Sequence, residues 1–267
     1  MPRRRLSWGI ALAALAAAGC RAWPTPSQLP GGSVLVREQL VVYSDFPLPR
    51  QHRLVDELAA LRGDMSTKFA LPVSDEPIHV YLFDSPGRYQ SFMALHHPEL
   101  PSRRAFFFES DTRLEVYAHW GDRVAEDLRH ETAHGYLHAV VPNLPLWLDE
   151  GLAEFFEVPR GHGGLNRPHV DELYGALQTG AWRPALFRLE QLQSGQEMTQ
   201  RDYAESWAWV HFLLETEPAR RDLLRGYLHT LRANASAEPL SSQIRRLIPN
   251  PEQALADYLT YLANREE

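Results

Sequence analysis

The chain has 267 residues, 44% of them hydrophobic and 23% charged, with 20 prolines, 16 glycines and one cysteine. That composition excludes disordered, collagen-like and coiled-coil classes. A single cysteine rules out an internal disulfide scaffold, and a formal net charge of −7 argues against nucleic acid as a partner.

Residues 1–19 read as a secretory signal peptide: Arg3, Arg4 and Arg5 lead an apolar run rich in Ala and Leu, which small residues close. The run is short for a bilayer span. Ala17-Ala18-Gly19-Cys20 resembles a bacterial lipobox, with Ala17 where Leu is usual. That resemblance implies a lipid anchor on Cys20 and an exported protein tethered to a membrane of the bacterial cell envelope. Cleavage there removes three arginines and no acidic residue, taking the charge from −7 to −10. The segment 20–32 carries three prolines and Gly31-Gly32, which suits an extended tether.

From residue 33 the pattern predicts one domain. Strands are expected at 34–36, 40–43, 77–83, 104–109 and 113–120, the last two forming a hairpin through Ser110-Asp111-Thr112, with helices over 50–70 and 86–95. From Gly121 on the pattern is helical, at 122–141, 146–158, 170–178, 201–215, 217–231 and 251–263. A strand-rich part (33–120) followed by a helical part (121–267) predicts an α+β fold, a small mixed sheet with helices and then a helical half, with the chemistry at their junction.

The helix predicted over 122–141 carries His130-Glu131-Thr132-Ala133-His134. Histidines four apart on a helix project to one side and can converge on one metal ion, while Glu131 stands beside that metal, placed to accept a proton from a metal-bound water. His138 continues the row but lies about 12 Å along the helix from His130, too far to share the metal. After the Pro142-Asn143-Leu144-Pro145 turn, Glu150, Glu154 and Glu157 form an acidic stripe on a short helix otherwise lined by Leu148, Leu152, Phe155 and Phe156. Such a stripe is costly unless it faces water or meets a cation, and a helix folded back by the turn would bring Glu150 to the two histidines.

His130-Glu-x-x-His134 followed by Trp147-Leu-Asp-Glu-Gly-Leu-Ala-Glu154 resembles the gluzincin zinc metallopeptidases, especially the peptidase MA-like families. The resemblance implies a zincin-like fold holding one Zn2+ per chain, with His130, His134 and Glu150 as ligands and Glu131 as general base. Glu154, 20 residues after His134, stays open as an alternative ligand, or as a partner fixing the ring of a ligand histidine. Arg201-Asp-Tyr-Ala-Glu-Ser206 resembles the Tyr-Ala-x-Ser helix of the same families, which makes Tyr203 the candidate oxyanion donor. The strand at 113–120 holds the position where zincins present an edge strand to an extended peptide. His96, His97, His119, His169, His211 and His229 receive no role.

The expected function is therefore a zinc-dependent metallopeptidase, an endopeptidase acting on peptide or protein substrates. The alternative is a zinc-binding but inactive domain of the same fold, serving as an envelope binding or assembly module.

Overall fold

The computed structural model describes residues 28–233 and 237–265. The leader, Cys20 and the start of the tether lie outside the described residues. From Gln28 the chain already lies against the folded body: Pro30 is buried and the Gln28 carbonyl accepts a hydrogen bond from Arg88 at 2.9 Å. The extended tether expected through Gly32 thus ends at least four residues earlier, because Arg88, fixed by Asp45 at 2.6 Å, holds the incoming backbone.

A five-stranded sheet in the order β1-β2-β3-β5-β4 forms the first half. β1 (Ser33–Arg37) and β2 (Leu40–Ser44) make an antiparallel hairpin turning through Glu38 at φ 49°. β2 runs parallel to β3 (Ile78–Phe83), which runs parallel to β5 (Arg113–His119), and β4 (Ala105–Ser110) closes the order antiparallel to β5. This corrects the expected edge strand. β5 is flanked on both sides, and its Leu114, Val116, Tyr117 and Ala118 are buried, as a central strand requires. The edge on this side of the sheet is β4, whose only buried residue is Ala105.

Period-two alternation along β3 divides the sheet between two cores. Ile78, Val80 and Leu82 face the main core, whereas Tyr81 and Phe83 face a small aromatic cluster with Tyr89, Phe92 and Met93 of α2 (Pro86–His96). α1 (Arg53–Phe69) buries Val55, Leu58, Leu61 and Met65 in the main core and ends at Ala70, left-handed at φ 56°.

The second half is helical: α3 (Val124–His138), α4 (Leu146–Glu157), α5 (Arg167–Gln178), α6 (Leu186–Leu189), α7 (Gln200–Glu215), α8 (Pro218–Ala233), α9 (Leu240–Leu247) and α10 (Pro251–Ala263). The fold is α+β with a small mixed sheet and a helical C-terminal half. α6 and α9 were not expected: α6 is a single turn, too short to carry a helical period, whereas α9 carries one in Leu240, Ile244 and Leu247 that went unrecognised. α7 is the central helix. It starts in a capping box between Thr199 and Asp202, and everything from Asp202 to Leu214 is buried. Its Glu205, fully buried, accepts from the Trp182 indole at 2.8 Å, the Ala185 amide at 2.5 Å and Arg188 at 3.0 Å, which ties the loop around α6 to the core. Among the described residues no helix is long and apolar enough to cross a membrane.

Candidate metal centre

Helix α3 places the histidines by burying its other face. Thr132 and Ala133 are fully buried, Thr132 returning its hydroxyl to the Leu128 carbonyl at 2.6 Å, and Gly135 lies where a Cβ would come within 3.0 Å of Ile78 on the sheet. His130 and His134 then reach α4, His130 at Glu157 and His134 at Asp149, while Glu131 faces a cleft. The chain reverses at Asn143, which takes φ 58°, and α4 begins directly after Pro145. α4 is held from behind by α7: a Cβ on Gly151 would stand 2.5 Å from the Ser206 carbonyl oxygen, so only glycine permits the two backbones to approach this closely.

Asp149 reaches His134 and His138 while Glu157 reaches His130, so α4 runs antiparallel to α3. Glu150 falls between them. Its Oε2 lies 3.5 Å from His130 Nε2 and 3.6 Å from His134 Nε2, and the two ring nitrogens are 3.2 Å apart. A point equidistant from all three atoms is about 2.0 Å from each, the bond length of a divalent ion held by imidazole and carboxylate. Glu150 Oε2 is buried without a hydrogen-bond partner, and two ring nitrogens face each other across the gap. A buried polar oxygen left in this state is costly, and a cation between the three donors relieves it. The groups present therefore fit a metal ion. His134, His138 and Asp149, and likewise His130, Glu154 and Glu157, are also grouped closely enough to hold one.

The outer ring nitrogens are held too. His134 Nδ1 meets Asp149 Oδ1 at 2.8 Å, and His138 Nε2 meets the other Asp149 oxygen at 3.0 Å. His138 continues to Glu109 on β4 at 2.5 Å. His130 Nδ1 meets Glu157 Oε2 at 3.1 Å, and Glu157 Oε1 accepts from Asn166 at 2.9 Å. The expectation for Glu154 is corrected here: it fixes no ring of this histidine pair but bonds His169 Nε2 at 2.7 Å. Glu157 and Asp149 hold the two rings instead. His169, given no role from sequence, thus closes the acidic stripe at its α5 end.

The charges follow these contacts. Burial alone would lower the His130 and His134 pKa values, yet the adjoining carboxylates outweigh it and raise both. Burial likewise works against ionised Glu150, and the two imidazoles prevail, bringing it to about 2. Glu131 moves upward because burial outweighs His130, His134 and Arg103.

His130, Glu131 and Tyr203 line one cleft of about 480 Å³ together with Gln90, Arg103 and Arg104. The Tyr203 hydroxyl accepts from Arg103 Nη2 at 2.8 Å. Edge strand β4 passes the same cluster, with Phe107 stacked 5.8 Å from the His134 ring. Arg103 went unrecognised in the sequence. Its signal was its position, just before a strand beginning Ala105-Phe106-Phe107, which says nothing about the tyrosine 100 residues later.

Residues 124–240 match a family described as a protein of unknown function (DUF1570). The matched span opens at the first residue of α3 and closes at the first of α9, so it holds the histidine pair, the α4 stripe and Tyr203, while the sheet lies outside it. No curated protein matches the chain.

Proposed function

We propose that the protein is a zinc-dependent metallopeptidase of gluzincin type, exported and anchored to the bacterial envelope through a lipid on Cys20. The observation that carries the reading is the convergence of His130 Nε2, His134 Nε2 and Glu150 Oε2 to 3.2–3.6 Å, with Glu131 in the cleft beside them. Two imidazoles and one carboxylate suit zinc better than calcium or magnesium, which take mainly oxygen ligands. Zinc held there supplies Lewis acidity, polarising a carbonyl and lowering the pKa of a water toward neutrality.

The chain's own groups do the rest. Glu131 takes the proton of the attacking water and returns it to the leaving amine. The Tyr203 hydroxyl, already accepting from Arg103, keeps its own proton to donate to the oxygen that becomes negative. Asp149 and Glu157 fix which ring nitrogens of His134 and His130 face the gap. Export and lipidation are supported by the order of basic, apolar and small residues ahead of Cys20.

The test is hydrolysis of an unfolded protein by the zinc-loaded wild type and by Glu131→Gln, each carrying one zinc per chain. The reading expects cleavage by the wild type and a loss of at least about 10²-fold in the variant. Equal inertness of both across many substrates would favour a zinc-binding assembly module instead.

A further inference from the structure

Three arginines line the cleft. Two are neutralised: Arg104 grips Asp127 through Nε at 3.0 Å and Nη2 at 2.6 Å, and Arg123 pairs with Glu126. The carboxylates of the acidic stripe are engaged as well, Glu154 by His169 and Glu157 by His130 and Asn166. Arg103 differs. Among the described residues no carboxylate pairs with it directly, although Glu131 and Glu150 lie near enough to favour its charge; one N–H donates to the Tyr203 hydroxyl at 2.8 Å, and its guanidinium carbon sits 5.7 Å from the ring centroids of both Phe106 and Tyr203.

Two aromatic rings and one hydroxyl orient this guanidinium without satisfying its fork of five donors. The partner that fits such a fork is a carboxylate, bound through two parallel N–H bonds. We propose that Arg103 anchors a carboxylate of the substrate, so that the cleft selects peptides carrying one within two residues of the bond cut. The distance follows from Tyr203: a carboxylate on Arg103 lies about 5–8 Å from a carbonyl touched by that hydroxyl, which is one or two residues of extended chain. This inference rests on the peptidase reading above. The carboxylate is either the free C-terminus of the substrate or an Asp or Glu side chain.

The experiment is isothermal titration of the zinc-loaded Glu131→Gln protein, which binds without cutting. The probe is one short alanine-rich peptide in four forms: a C-terminal acid, the C-terminal amide, and the amide with either Glu or Gln next to the central bond. Acid over amide by about tenfold or more identifies a terminal carboxylate, and Glu over Gln by the same factor identifies a side chain. Arg103→Gln is expected to bring the charged and neutral forms within about twofold of each other, and Arg103→Lys, which keeps the charge, to retain part of the preference. Equal affinity for charged and neutral forms, no measurable binding of any form, or an equal loss for all four in Arg103→Gln overturns the anchor. Hydrolysis by the wild type is scored separately. If nothing is cut but the Arg103-dependent preference persists, the peptidase reading falls and the anchor stands.

Discussion

At the scale of single residues the centre is a set of imidazoles whose two nitrogens have different partners. In His134, Nε2 faces the gap beside Glu150 while Nδ1 is held by Asp149; in His130 the same division runs between the gap and Glu157. Carboxylates behind metal-binding imidazoles fix the tautomer and raise ligand basicity. Asp149→Asn is therefore expected to weaken zinc binding by about 10–100-fold without abolishing it, measured by competition with a chromophoric chelator. An unchanged affinity would mean that Asp149 serves only the fold. The histidine pair, Glu131 and Glu150 were legible in sequence because their spacing is local, one helical turn or one tight turn apart. Glu157 was not recognised as the partner of His130. It lies about 20° from Glu150 around α4 and Glu154 about 40°, and which of them meets His130 depends on how far α4 extends along α3. Arg103 and His169 were illegible for a simpler reason: their partners are brought to them by the tertiary fold, Tyr203 from α7 and Glu154 from α4.

At the scale of elements, α4 is the critical piece, because it must present its acidic stripe to α3 and its other side to α7. Gly151 marks the contact, with the Ser206 carbonyl oxygen 2.5 Å from where a Cβ would be. Gly151→Ala is expected to cost about 2–4 kcal/mol in urea unfolding and to weaken zinc binding with it, since relieving the clash against backbone moves Glu150. Stability within about 0.5 kcal/mol of wild type would show that α7 yields instead. The strand positions and the long helices were readable from periodicity, most to within a few residues. The sheet order was not. Nearness in sequence to α3 suggested that β5 was the edge, but β4 returns as a hairpin on its outer side and takes that place. The residue pattern pointed the wrong way: β4 opens Ala105-Phe106-Phe107-Phe108, apolar on both faces, whereas β5 carries Arg113, Glu115 and His119 on one face.

At the scale of the whole molecule, a buried group of histidines and carboxylates joins α3, α4 and α5, and α3 lies against the sheet. Without a cation such a cluster is held only by its internal pairs, whose desolvation offsets much of their attraction. Zinc at about 1,000 times its Kd adds about 4 kcal/mol of stability, so chelation is expected to lower Tm by about 10 °C, and His130→Ala to remove that response. A Tm indifferent to chelator and zinc would separate the cluster from any metal. The central claim concerns which atoms hold the ion, and metal content tests it most directly. After equilibration with zinc and removal of the excess, mass spectrometry is expected to find one zinc per chain in the wild type and in Glu154→Gln, and a large loss in Glu150→Gln. A metal-free wild type, or zinc lost from Glu154→Gln and kept by Glu150→Gln, would contradict it.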